Sequence, residues 1–198
     1  MGVYHITYIP KVKEICLFFN GGCNFSCHGC ITDYYPNDCH LVEKEKKAPE
    51  HQSTRAPERK KEHQEEKENT KLKIEEVVSL LKPLDFKRVI FLGKEPIKDK
   101  DFLPLATILK QNFSTYHILL TNGYQLLKNT LIDEVCVGIK SISKKIFKDF
   151  TGQNNPEKVL NNLKKYVNAP YLKTRAESIF IPNYIDIDEI EKIAKYLS

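Results

Sequence analysis

Apolar residues recur along this chain in two rhythms, one of period two and one of helical period. Residues 3–9 (VYHITYI) alternate and are β-branched or aromatic, which predicts an edge strand ended by Pro10. His5 within it reads as a surface or half-buried strand residue, not a ligand. The continuous apolar run 15–19 (ICLFF) predicts a short buried strand. Beyond residue 73 a helix–strand order repeats. Helical spacing over Ile74–Leu81 ends at Pro83, and 88–92 (RVIFL) is an apolar strand. A helix over 102–111, a strand at 117–120 (HILL) and a short helix over 125–131 are expected next. A strand at 134–140 (EVCVGIK) then precedes helices over 144–150 and Pro156–Val167. A strand at 173–181 (KTRAESIFI) and a helix at Ile187–Leu197 complete the pattern. Strands alternating with helices predict a parallel sheet, curled one way by right-handed crossovers. The expected fold class is α/β, a partial, open parallel βα barrel of about five to six units.

One stretch breaks the rhythm. Residues 40–72 mix Lys, Arg and Glu with prolines and hold almost no apolar side chain, so they cannot bury enough surface to offset their ordering entropy. They are expected to form a disordered, charged insertion within a single domain spanning 1–198, with a docking segment for a partner as the alternative. No apolar run reaches membrane-spanning length and no signal-peptide pattern opens the chain, so a cytoplasmic protein without a membrane partner is expected. The formal charge of +5 is spread among interspersed Lys and Glu, which leaves nucleic acid open as a partner without requiring it.

The chemistry concentrates just after the 15–19 strand. Cys23, Cys27 and Cys30 stand in a C-x3-C-x2-C run, in a loop at a strand's carboxyl end, where parallel α/β sheets present their ligand sites. Thiolates this close converge on one soft metal centre, and such runs hold iron–sulfur clusters. Three thiolates leave one iron of a cubane open to a small molecule. The competing readings are zinc, with Cys39 or His40 as fourth ligand, and a disulfide. Cys16, His117 and Cys136 lie inside strand runs and read as core.

This cysteine spacing resembles the signature of the radical S-adenosylmethionine (SAM) enzymes, with Gly29 where most members carry an aromatic residue. The resemblance implies a 4Fe–4S cluster on Cys23, Cys27 and Cys30. It also implies reductive cleavage of SAM to a 5′-deoxyadenosyl radical, and an electron donor such as ferredoxin or flavodoxin. Gly93, Lys94, Glu95 and Pro96 look like the family's Gly-Gly-Glu-Pro motif, with Lys94 in place of the second glycine; the resemblance places Glu95 on the amino group of SAM. Read without it, the four residues are an ordinary βα turn. Thr121, Asn122 and Gly123 resemble the Thr-Asn-Gly of enzymes that activate glycyl-radical proteins. Gly138, Ile139 and Lys140 resemble their Asp-x-Lys, with glycine at the aspartate position. Phe150–Gly152, Val159–Leu163 and Ile181–Pro182 resemble the same enzymes. Lys140 is then expected near the carboxylate or ribose of SAM. Arg175 either pairs within the barrel or contacts the ligand. The implied partner is a glycyl-radical protein. The alternatives are a radical enzyme acting on a small metabolite, cofactor precursor or RNA, and a non-enzymatic iron–sulfur or zinc protein.

Overall fold

The computed structural model describes residues 2–30, 71–128 and 130–198, and in them both rhythms serve one curled sheet. Its strands are Val3–Ile9 (β1), Glu14–Phe19 (β2), Arg88–Gly93 (β3), Tyr116–Thr121 (β4), Glu134–Ile139 (β5) and Lys173–Ser178 (β6), side by side in chain order. β1 runs antiparallel to β2, and every later neighbour is parallel. Among the described residues no bonds join β6 back to β1, so the sheet is a partial barrel with an open side. The helices are Ile74–Leu81 (α1), Phe102–Phe113 (α2), Lys144–Thr151 (α3), Pro156–Val167 (α4) and Ile187–Leu197 (α5).

Alternation decides which side of the sheet each residue takes. In β2 Ile15, Leu17 and Phe19 are buried while Glu14, Cys16 and Phe18 are partly exposed. The buried set packs under the helices. Phe102 of α2 meets Phe19 and Phe91 edge to face, with ring centroids 5.8 and 5.3 Å apart, which fixes α2 over β2 and β3. β5 is buried at all six positions, as a strand covered on both faces must be. Gly93 ends β3 at φ +123°, where a Cβ would fall 2.3 Å from the Phe19 carbonyl oxygen. That close approach lets Lys94 N–H donate to the same oxygen at 3.1 Å and turns the chain outward at the sheet's end. Asp99, 4% exposed, then accepts from Gly2 N and Asp101 N, tying the start of the chain to the β3–α2 connection.

Four expectations change. The helix expected over 125–131 is absent from its described residues, and β4 passes to β5 through an irregular segment. Its polar backbone is satisfied by α4 instead: Asn162 Nδ2 donates to Gly123 O at 2.9 Å, and Tyr166 Oη accepts from Leu127 N at 2.8 Å. The last strand stops at Ser178, short of 181, and Ile181 forms only an isolated bridge with Ile185. Cys16 is half-buried on the concave side of the sheet, not a core residue. Leu72, assigned to the charged insertion, bridges Val3 and donates to its carbonyl at 2.8 Å. Residues 40–70 of that insertion, with His40, and Cys39 just before it, lie outside the described residues. His117 and Cys136 are in the core, both at 0% exposure. Burial pushes the His117 imidazole down to about 4, with the Lys110 ammonium adding to the effect, so the ring stays neutral.

Candidate functional site

The cysteine loop has no regular hydrogen-bond ladder of its own, so its shape is imposed from outside. Ser26 N and His28 N donate to Thr151 O and Phe150 O at 2.8 and 3.0 Å, pinning the loop to the end of α3. Gln153 Nε2 holds Asn24 O at 2.8 Å. Phe25 is buried between Phe147 and Tyr124, edge to face at 5.5 and 5.4 Å, and anchors the loop on the core. The hydrophobic anchor and the backbone bonds together leave the three cysteines along one rim.

That rim borders a cavity of about 330 Å³ at the carboxyl ends of the parallel strands. Cys23, Cys27 and Cys30 line it on one side. Gly93, Lys94, Thr121, Asn122 and Lys140 line the rest, at the ends of β3, β4 and β5. Asn122 joins the halves: its Nδ2 donates to Asn24 Oδ1 at 2.6 Å and to Cys23 Sγ at 3.5 Å. Burial raises the Cys23 and Cys27 thiols, Cys27 to about 11, and the Lys140 ammonium opposes the rise at Cys27. A cation beside a site of several thiolates is electrostatically fitting, because it offsets the charge those thiolates bring.

Glu95 and Arg175 do not themselves line the cavity. Glu95 is 1% exposed and does not line the cavity. Its carboxylate accepts from Thr121 Oγ1 at 2.8 Å and from Asn122 N at 2.9 Å, so it fixes the end of β4. Burial raises its carboxyl, and these hydrogen bonds oppose the rise. Pro96, buried beside it, opens a single 3-10 turn. Arg175 does not line the cavity; its side chain is exposed on β6, with its Nε 3.8 Å from Glu134 Oε1, which favours pairing with Glu134 over contact with a ligand.

Two carboxylates that the motifs did not mark complete the surroundings. Glu189 of α5 is 2% exposed and accepts from Ser141 Oγ, Ile142 N, Ser143 N and Ser143 Oγ at 2.5–2.9 Å. It thereby clamps the turn that follows Lys140. Burial alone would raise this carboxyl, but the hydrogen bonds outweigh it and hold Glu189 at about 2. Glu177 of β6 lines the cavity. The alternation of Lys173, Arg175 and Glu177 was the available signal for the latter; nothing local marks Glu189.

The sequence profile of the Radical SAM superfamily matches residues 17–197. The chain belongs to that superfamily. Among curated radical SAM relatives, a protein of Methanocaldococcus jannaschii described as a glycyl-radical enzyme activating enzyme is 31% identical over 204 aligned residues, covering 100% of this chain and 67% of its own length. A GTP 3′,8-cyclase of Actinobacillus succinogenes is 26% identical, covering 85% of this chain and 44% of the cyclase. A second cyclase, from Pasteurella multocida, is 29% identical over 57% of this chain and 35% of its own length. Among solved structures, Streptococcus suis SuiB bound to precursor peptide SuiA superposes with a TM-score of 0.60 at 15% identity, over 98% of this chain and 38% of SuiB. TYW1 with a lysine-pyruvate adduct bound gives 0.55 at 15% identity, over 93% of this chain and 60% of that one. These last two establish the shared fold of the radical SAM barrel.

Membership of the superfamily implies SAM and a 4Fe–4S cluster, and the residues present fit both. Among the described residues no three His, Cys, Asp or Glu side chains close on a single metal ion. The three thiols instead border one cavity, as a polynuclear cluster needs, with polar strand ends facing them across the space a ligand would fill.

Proposed function

We propose that this radical SAM chain cleaves SAM reductively and uses the resulting radical to activate a partner protein by removing hydrogen from a backbone glycine. The observation that carries the cleavage is the single cavity shared by Cys23, Cys27, Cys30, Asn122 and Lys140. When bound, the cluster supplies the electron that breaks the sulfonium carbon–sulfur bond. The chain's own residues do the rest. The three thiolates hold the cluster, and Asn122 donates toward Cys23 and braces the loop. Lys140 lines the same cavity as the thiols, acts on Cys27 and would offer its positive charge to the ligand's carboxylate. Glu95 keeps Thr121 and Asn122 in place. The hydrophobic face of Phe25 and the helices beyond it shield this side of the cavity from water.

The choice of a protein partner is supported by the full-chain likeness to the Methanocaldococcus jannaschii protein and by the open side of the barrel. A second reading, modification of an anionic small molecule, is favoured by the likeness to GTP 3′,8-cyclases and by Lys94, which adds a cation to the cavity where the motif has glycine. Anaerobic, dithionite-reduced protein incubated with SAM decides between them. Release of 5′-deoxyadenosine with a glycine-centred doublet in the electron paramagnetic resonance spectrum of an added candidate glycyl-radical protein is the expected result. Deoxyadenosine without that doublet, together with a modified nucleotide, would establish the second reading. A folded, cluster-loaded protein that yields no deoxyadenosine would overturn both.

A further inference from the structure

Outside the thiol-bordered cavity, a second concavity runs along α3. Lys145, Ile146, Lys148, Asp149 and Tyr184 line this groove, which has a volume of about 790 Å³. The chain turns back at Tyr184 through the Ile181–Ile185 bridge, and Tyr184 Oη donates to Asp149 Oδ2 at 2.5 Å, so the wall of the groove is fixed to the helix. Burial of Phe147, Phe150 and Thr151 turns the other face of α3 outward, and with it Lys144, Lys145, Lys148 and Asp149. Among the described residues these three lysines form no ion pair, and the one carboxylate beside them already accepts from Tyr184. The face keeps a net positive charge.

A single aromatic side chain is shared between this groove and the cavity. Phe150 lines the cavity, and its ring centroid lies 6.0 Å from that of Tyr184 in the groove wall. The carbonyls of Phe150 and Thr151 accept from His28 N and Ser26 N, so the cysteine loop hangs on the end of the same helix. Each reductive cleavage consumes one electron, and a donor outside the chain must replace it. Electron-transfer encounters are small, brief and steered by opposite charge, which suits a helix of eight residues and one turn. Half-buried Ile146 and Tyr184 offer a partner's surface some apolar contact, and Asp149 between them repels a phosphate chain, which favours a protein over a nucleic acid. We propose that the α3 face, through Lys144, Lys145 and Lys148, docks an acidic one-electron donor protein that reduces the centre held by the cysteine loop. One electron leaves the reduced donor and enters that centre, and no covalent bond changes. This rests on the reading that Cys23, Cys27 and Cys30 hold a cluster.

Binding and reduction are measured separately, with a flavodoxin as the probe. Cluster-loaded wild-type chain, the triple variant Lys144→Glu/Lys145→Glu/Lys148→Glu and a control, Lys11→Glu/Lys165→Glu/Lys195→Glu, are titrated anaerobically at low and high ionic strength. The control reverses the same charge at exposed positions on other elements. Wild type and control should bind flavodoxin about 10-fold more tightly than the α3 variant at low salt, and the difference should shrink at high salt. In stopped flow, cluster reduction by flavodoxin hydroquinone should slow by a similar factor in the α3 variant alone, while reduction by dithionite stays equal in all three. Equal losses in both variants, or an α3 variant that binds flavodoxin and accepts its electron like wild type, would overturn the assignment. So would an α3 variant that loses affinity for a single-stranded oligonucleotide with flavodoxin binding unchanged, which would make the face a nucleic-acid surface. Wild-type protein that holds no cluster would instead overturn the reading beneath it. If the α3 variant fails to fold, carbodiimide cross-linking of wild type to flavodoxin decides. Cross-links at Lys144, Lys145 or Lys148 support the docking face, and cross-links confined to other lysines refute it.

Discussion

Replacing Glu189 by glutamine tests how much the clamp after β5 contributes to the fold. The carboxylate is 2% exposed and receives two backbone N–H and two hydroxyl bonds, with Lys192 Nζ a further 3.4 Å away. Its carboxyl is lowered from the ordinary 4.5 to about 2. At 1.36 kcal/mol per unit, the folded protein favours the ionised form by about 3 kcal/mol. Glutamine keeps one acceptor and turns two N–H donors toward groups that already donate, so Glu189→Gln should lose about 3 kcal/mol of unfolding free energy at pH 7. For a chain of this size that is a fall of roughly 6–12 °C in melting temperature. The acid dependence has a definite sign. Because the folded-state value is depressed, the stabilisation is complete above pH 4.5 and is lost as pH falls toward 2. About 2 of the 3 kcal/mol should be gone by pH 3, so the gap between wild type and variant narrows there. Urea unfolding of the metal-free chains, followed by circular dichroism at pH 7 and pH 3, measures both. A gap below about 1 kcal/mol at pH 7, or one that does not shrink at pH 3, would refute the reasoning.

Cys23→Ala, Cys27→Ala and Cys30→Ala should each fail to retain a full cluster after anaerobic reconstitution; iron and sulfide analysis showing full loading in all three would exclude the assignment. Glu95→Gln should destabilise the fold by about 1–3 kcal/mol and loosen Asn122 from the cysteine loop, read as a lower melting temperature and weaker SAM binding. A variant with wild-type values for both would show that Glu95 braces nothing. Deleting residues 44–69 should leave folding and cluster loading intact and change stability by no more than about 1 kcal/mol, the scale of loop-closure entropy. Insoluble protein or a large fall in melting temperature would show that the segment packs.

What the sequence made legible was chemistry written in neighbouring residues. The cysteine run, the Gly-x-Glu-Pro turn and the strand-end Lys140 each carry a local pattern, and their strands were marked by continuous apolar runs. What stayed hidden depends on partners far along the chain. Residues 125–131 have helical composition, but Asn162 and Tyr166, some 39 residues on, capture the backbone around them. Glu189 reaches Ser141 across 48 residues. Glu95 was recognised by its motif, yet only the fold reveals that Thr121 and Asn122 donate to its carboxylate. Arg175 and Glu177 share one face of β6, and which of the two is level with the cavity is a matter of register, invisible until β5 and β6 are paired.

The pinning of the cysteine loop to Thr151 and Phe150 also sets an order of events during synthesis. Cys30 is made about 120 residues before the Phe150 and Thr151 carbonyls that pin its loop to α3. At translation rates of about 5–20 residues per second, that interval lasts on the order of 10 s. Throughout it the three thiols ride on a segment not yet pinned to α3, open to any iron-delivery protein and to oxidants alike. The loop takes its final shape only when α3 docks, so the step that assembles the chemistry of the site comes late, although its cysteines are made early.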